Sequence, residues 1–346
     1  MGADAVTGRL FPDAATIGES CASDIDDLQA FISSLAAPHV IRGVIGDWPL
    51  VKRAAESQQA LREYLERFYS GAPLIAYCAP ASAQGRLGYT EDQTAFNFQR
   101  AQMKLGDFMQ KIGELSGEAD VPTLYVGSSM VGHWFPGLED ENELKPSSAG
   151  PIASLWLGNR SVVSAHFDVP DNVACCVTGR RRFTLLPPEQ YENLYVGRWD
   201  MTPAGQPISL VDFRNPDLAR FPRFARAQAA AMETVLEPGD AIFIPSMWWH
   251  HVEGLDDLNV LLNYWWRDTP SFLGSPVHVF KHALLSMRSL PVEQRKVWRD
   301  LFDYYVFEAD EDALAHIPEP AQGIHGPMDG NRARALRAEL LQILNR

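Results

Sequence analysis

Cysteine is scarce in this chain, and no two cysteines are spaced C-x-x-C. The four present are Cys21, Cys78, Cys175 and Cys176, in 346 residues. So sparse a set argues against a disulfide-built scaffold and reads as a reduced, intracellular protein. Long apolar runs are missing too, since none approaches the roughly 18 to 20 residues that a membrane span needs. The opening stretch, MGADAVTGRLFPDAA, has neither a basic n-region nor an apolar h-region, so no secretory signal is expected. Gly2 invites a myristoylation reading, but Val6 stands where that motif wants Ser or Thr. A cytoplasmic protein with no membrane partner is the expectation. Basic residues are outnumbered, 30 against 44 acids, for a formal charge of −14. Most of such a surface repels a polyanion, which disfavours a nucleic-acid partner. There is no internal repeat and no low-complexity tract.

What is present is an ordinary globular balance, 46% hydrophobic and 21% charged, long enough for a large core or two modest domains. The N-terminal third alternates elements. Ile25, Leu28, Phe31, Ile32 and Leu35 have helical spacing, and PHVIRGVIGDWP (38–49) reads as strand, turn and Pro helix start. Leu61, Leu65 and Phe68 continue a helix, and PLIAYC (73–78) is a strand. Leu105, Phe108, Met109, Ile112 and Leu115 mark another helix, and PTLYVG (122–127) another strand. From about Ala153 to Trp266 short β-type runs dominate: IASLWLG, NVACCVTG, RRRFTLLPP, AIFIP and NVLLNYWW. Turn signals separate them, and many short strands with few helices predict a barrel or jelly roll. After Arg267 the pattern is helical again, over 277–289, 292–307 and 331–346, with Leu336, Leu340, Ile343 and Leu344 forming a stripe that must be covered by the barrel or by a second copy.

The chemistry is concentrated in SAHFDVPDN (164–172). His166 and Asp168 are two apart, so in extended backbone they share a face. With a second His from a distant strand they would complete a 2-His-1-carboxylate facial triad, which leaves open positions on a non-haem Fe(II). SMWWHHVEG (246–254) offers His250 and His251, and a strand points them to opposite faces, so at most one joins the site. The basic strand GRRRFTLLPP follows the H-x-D turn and would suit a dicarboxylate such as 2-oxoglutarate.

These blocks, in this order, resemble the cupin-type JmjC family of 2-oxoglutarate- and Fe(II)-dependent oxygenases. The similarity is nearest to the asparaginyl hydroxylase of hypoxia-inducible factor and its bacterial relatives. The resemblance runs through PHVIRGVIGDWP, TLYVGSSM, AHFDVPDNVACCVTGRRRFTLLPP and EPGDAIFIPSMWWHHVEGLDDLNVLLNYWW. It implies a mainly β fold with flanking helices: a double-stranded β-helix preceded by α/β elements and followed by a helical segment. It places a catalytic domain in 1–270, with its barrel core at about 122–267, and a dimerisation segment in 271–346. It implies that His166, Asp168 and His250 hold Fe(II), and that Tyr125, Asn172, Arg181 and Asn263 receive 2-oxoglutarate, with Trp265 near the metal. The implied reaction hydroxylates a C–H bond, on a protein or peptide side chain or a small molecule, releasing succinate and CO2. Two departures stand out. Val163 occupies a position where family members often carry Thr or Ser, with Ser161 and Ser164 nearby. Arg181 replaces the hydroxylases' lysine and sits within RRR, so a one-residue slip would present Arg180 or Arg182 instead. A non-redox cupin-like binding protein and a zinc hydrolase are the rival readings. A complete triad counts against the first, and a basic dicarboxylate anchor against the second.

Overall fold

The computed structural model describes residues 8–308 and 314–345. Gly2, Val6 and Arg346, discussed above, lie outside them. The chain divides after Arg267 into two compact units.

The first unit carries the strands β1 (Ala15–Thr16), β2 (Gly18–Cys21), β3 (His39–Arg42), β4 (Leu74–Ala79), β5 (Arg86–Leu87), β6 (Gln99–Met103), β7 (Thr123–Met130), β8 (Ile152–Gly158), β9 (Ser161–Phe167), β10 (Asp171–Thr178), β11 (Arg181–Leu186), β12 (Met232–Leu236), β13 (Ala241–Ile244), β14 (Trp249–Gly254) and β15 (Asn259–Trp266). Among the described residues they form a six-stranded sheet, β1-β12-β11-β14-β9-β5, and a nine-stranded sheet, β2-β3-β13-β10-β15-β8-β7-β4-β6. From β8 to β15 consecutive strands alternate between the sheets except at β11 and β12, which pair with each other, as in a jelly roll, so the expected mainly β architecture with flanking helices is present. The sheets recruit β1 to β6 from the N-terminal third, well outside the 122–267 core.

Side-chain alternation divides the apolar residues into layers. Ala174, Cys176, Phe183, Leu185, Ile242, Val252 and Leu261 pack between the sheets. The outer face of the nine-stranded sheet buries Val173, Cys175, Leu155, Leu262 and Tyr264 against the helices. One of these is Leu105–Leu115, whose buried residues are Leu105, Phe108, Met109 and Ile112, the face that the spacing predicts. Pro49 starts the helix Pro49–Glu56. The helix expected from Ile25 is shorter, Leu28–Ser33, because Asp27 caps it by accepting from the Ala30 amide. Outside the six-stranded sheet, Phe11, Phe213, Phe224 and Leu194 cover Ala165, Phe167, Leu186 and Trp249.

Two turns set the register of the site strands. Gly179 joins β10 to β11 with φ +73°, and a Cβ there would lie 2.3 Å from the Leu258 carbonyl oxygen, so only glycine fits. Asp240 follows Gly239 in the turn before β13, and its carboxylate accepts from Arg42, from the Gly43 amide and from the Glu237 amide.

The second unit contains the helices Pro276–Ser286, Val292–Phe302, which runs on as a π-helical turn over Asp303–Phe307, and Gly330–Leu344, capped by the Asp329 side chain.

Candidate active site

β9 and β14 are antiparallel neighbours, and their register sets His166 directly opposite His250. Both side chains therefore enter the space between the sheets from adjacent strands. Asp168 follows β9 at once. The loop before β14 is tied to this corner: the Met247 amide donates to the Asp168 carbonyl, the Ser246 amide to the Asp171 carboxylate, and the Ser246 hydroxyl to the Val169 carbonyl. The two segments that carry the triad are thus held together by hydrogen bonds independent of its side chains.

Each imidazole is oriented by its own backbone. His166 Nδ1 lies 3.0 Å from the Ser164 carbonyl and His250 Nδ1 3.0 Å from the Trp248 carbonyl. A carbonyl only accepts, so Nδ1 carries the proton in both rings and each Nε2 keeps its lone pair. The ring centroids are 4.2 Å apart, His250 Nε2 is 3.6 Å from an Asp168 oxygen, and one donor atom from each of the three residues falls within 4.8 Å of the others. Burial and the neighbouring His166 lower the pKa of His250, which keeps that ring neutral and able to ligate. Two nitrogens and a carboxylate oxygen converging on one point fit a divalent transition metal on one side and leave its other side open to the cavity. His251 takes the opposite face. It is buried, stacked on Phe213 at 4.5 Å, and 3.7 Å from Glu253.

The triad lies on the wall of a cavity of about 340 Å³ that Tyr125, Asn172, Arg181, Asn263 and Trp265 also line. Every residue named for the site from the sequence therefore borders one space. The RRR ambiguity resolves by alternation. Arg180 pairs with Asp256 at 2.8 Å, Arg182 pairs with Glu253 at 2.5 Å on the outer face, and Arg181 points inward. Arg181 is 2% exposed, and its Nε and Nη2 groups are buried without a hydrogen-bond acceptor among the described residues. Leaving such donors unsatisfied costs on the order of 1–3 kcal/mol each, so the position is built for an incoming anion. Tyr125 beside it has its pKa raised by burial, against the opposing pull of Arg181, and stays a neutral phenol. Val163 lines the same cavity and brings no hydroxyl.

Sequence reasoning passed over part of the wall. Tyr77, Leu87, Phe98 and Arg100 come from β4, from β5 and from β6 with the residue before it, and Pro203, Gly205 and Gln206 come from the long connection before β12. PLIAYC reads as a strand but gives Tyr77 no role, and the other stretches carry no motif that marks them. Trp156 lies in the IASLWLG run, but nothing in that run distinguishes it from packing.

A family described as "Cupin-like domain" matches residues 26–272. HSPB1-associated protein 1 of Homo sapiens is 37% identical over 122 residues, which is 35% of this chain and 24% of that protein. The tRNA wybutosine-synthesizing protein 5 of Danio rerio is 38% identical over 123 residues, 36% of this chain and 32% of that protein. Lysine-specific demethylase 8 of Xenopus tropicalis is 27% identical over 245 residues, 66% of this chain and 48% of that protein. The chain thus spans between about a quarter and a half of the length of these relatives.

Proposed function

The chain belongs to the cupin-like, JmjC-type family, and from that premise we propose that it is an Fe(II)- and 2-oxoglutarate-dependent oxygenase that hydroxylates a C–H bond of a protein or peptide side chain. The observation that carries this reading is the convergence of His166, Asp168 and His250 in the cavity where Arg181 presents unpaired donors. Bound iron supplies the activation of O2, one oxygen atom entering the substrate and the other entering succinate as 2-oxoglutarate loses CO2. The protein's own part is positional. His166 and His250 offer Nε2 lone pairs, Asp168 offers a carboxylate, and Arg181 with the Tyr125 hydroxyl receives the far carboxylate of 2-oxoglutarate. Arg181 carries more N–H donors than a lysine would, which offsets the hydroxyl that Val163 does not supply. Phe183, Val252, Leu261 and Trp265 wall the cavity and keep bulk water from the reacting centre.

Hydroxylation of an uncharged group is favoured over lysine demethylation. Among the described residues lining the cavity, Asp168 is the only carboxylate, and it belongs to the triad. A lysine or methyl-lysine cation would find no further carboxylate there, while Arg100 would repel it.

The decisive measurement is succinate formation from 2-oxoglutarate by the Fe(II)-loaded protein, with peptides bearing neutral or cationic target residues. Iron-dependent turnover, stimulated by neutral peptides, is expected. Failure to bind 2-oxoglutarate, with no iron-dependent succinate under any condition, would sink the oxygenase reading. Arg181→Ala is expected to weaken 2-oxoglutarate about thirtyfold, the loss of roughly 2 kcal/mol of charge-assisted hydrogen bonding, with metal affinity unchanged; isothermal titration on Mn(II)-loaded protein reads both.

The second unit is proposed as the dimerisation segment. Leu340, Leu341, Ile343 and Leu344 on its last helix, with Val297 and Trp298 on the helix Val292–Phe302, remain at its surface and suit a second copy. Removing the chain after residue 330 should convert a dimer to a monomer, and an unchanged mass by light scattering would refute this role.

A further inference from the structure

Three side chains on neighbouring strands of the nine-stranded sheet form a directed hydrogen-bond chain toward the cavity. Trp156 stands on β8, Asn263 on β15 and Asn172 on β10. The Trp156 indole N–H donates to Asn263 Oδ1 at 2.6 Å, and Asn263 Nδ2 donates to Asn172 Oδ1 at 3.0 Å. Asn172 and Asn263 are 6% and 1% exposed, and both border the cavity.

Two adjacent asparagines alone have two equivalent arrangements. Either can donate, and reversing both amides preserves the bond between them. The indole removes that degeneracy because its nitrogen can only donate. It requires an oxygen from Asn263, which turns Asn263 Nδ2 toward Asn172. Asn172 must then accept through Oδ1, and its own N–H groups are what it turns to the cavity. Without the indole, half of the arrangements would present a carbonyl oxygen, which repels a carboxylate.

We propose that Trp156 is a positioning residue that fixes the polarity of the Asn263–Asn172 pair, so that Asn172 offers donors to a carboxylate oxygen of the bound dicarboxylate. This rests on the oxygenase reading and extends it to a side chain without a role of its own in the triad. The contacts of the ring itself, edge-on to Trp265 at 5.6 Å and tilted against Tyr125 at 6.2 Å, would survive in phenylalanine, which lacks only the N–H.

The test is a double-mutant cycle read by titrating 2-oxoglutarate into Mn(II)-loaded protein, with Mn(II) affinity and melting temperature measured alongside. Trp156→Phe is expected to weaken 2-oxoglutarate about tenfold, as for one lost charge-assisted hydrogen bond, and to leave Mn(II) affinity unchanged. Because Trp156 acts through Asn172, Trp156→Phe combined with Asn172→Ala should bind no more weakly than Asn172→Ala alone. Asn263→Asp is an independent variant. Its carboxylate accepts from the indole and can only accept again, so Asn172 must reverse, and the affinity should fall further. Unchanged 2-oxoglutarate affinity in Trp156→Phe or in Asn263→Asp, or losses that simply add in the double variant, would overturn the proposal. Absence of 2-oxoglutarate binding in the unsubstituted protein would overturn the oxygenase reading itself, and this inference with it.

Discussion

His166→Ala, Asp168→Ala and His250→Ala should each weaken Fe(II) binding by more than about a hundredfold, since loss of an outer-shell partner alone typically costs 10- to 100-fold. His251→Ala should leave Fe(II) affinity within about threefold, because the ring lies on the other face of β14, stacked on Phe213. Its cost should instead appear as a lower melting temperature, from the lost stack and the gap it leaves. Anaerobic Fe(II) titration with melting curves on the same four variants separates the two behaviours. The informative contrast is between neighbours: one residue abolishes metal binding and the next destabilises. Metal loss on His251→Ala, with His250→Ala still loading iron, would invert the assignment and place the register of β14 one residue out.

Glu253→Ala should be the most destabilising single substitution in the barrel wall, by about 3–5 kcal/mol, as expected when one partner of a buried ion pair is removed. Glu253 is fully buried. It lies 2.5 Å from Arg182, whose side chain is also buried, and 2.5 Å from Arg214 in the loop that carries Phe213. Without the carboxylate, Arg182 would keep its bond to the Gly8 carbonyl but lose this close ion pair. Glu253→Gln retains the shape and an acceptor and should cost less. Burial alone would raise the Glu253 pKa, but His251 and Arg214 outweigh it and hold it at about 2, below the ordinary 4.5. Its charge therefore contributes stability that is complete above about pH 4.5 and is lost as the pH falls toward about 2. The stability gap between the unsubstituted protein and Glu253→Gln, from urea curves, should be full at neutral pH and close across that window. A gap constant down to pH 2 would show that the pairing does not depend on charge.

The strand periodicity of the barrel was legible because buried β-runs and their turn residues are local signals: Gly179 between β10 and β11, and Pro238-Gly239-Asp240 before β13. H-x-D was legible because a period of two survives from His166 near the end of β9 to Asp168 just beyond it. What alternation alone misjudges lies one turn earlier. Between the pairs His250–His166 and Val252–Val163 the ladder slips, so Ser164 and Ala165 together stand against the single His251. That bulge turns both Val163 and Ser164 toward the cavity, and no spacing rule foretells it. Alternation puts Arg181 on the face of Phe183 and Leu185, but the register became firm once Asp256 and Glu253, more than seventy residues on, were seen to occupy Arg180 and Arg182. The outer wall, from Tyr77, Phe98, Arg100 and the 203–206 segment, depends on the pairing of β4 with β6 and on loop placement, which a single sequence encodes only through long-range packing. The role of Trp156 was invisible for the same reason: a tryptophan in a strand reads as packing until its N–H has an acceptor.

The opposed placement of His166 and His250 also bears on how a metal bound there would exchange. Both rings are anchored by Nδ1 to nearby backbone carbonyls, and the strands that carry them are joined by backbone pairing on both sides of the bulge and by the Ser246 and Met247 ties. An ion here would cross-link elements already fastened to one another, so it adds little to the cohesion of the barrel. Chelation should therefore strip the ion reversibly from a barrel that stays folded, unlike a zinc finger, whose fold is lost with its metal. The identity of the bound ion would then follow the pool of available cations, with exchange limited by access through the cavity rather than by unfolding.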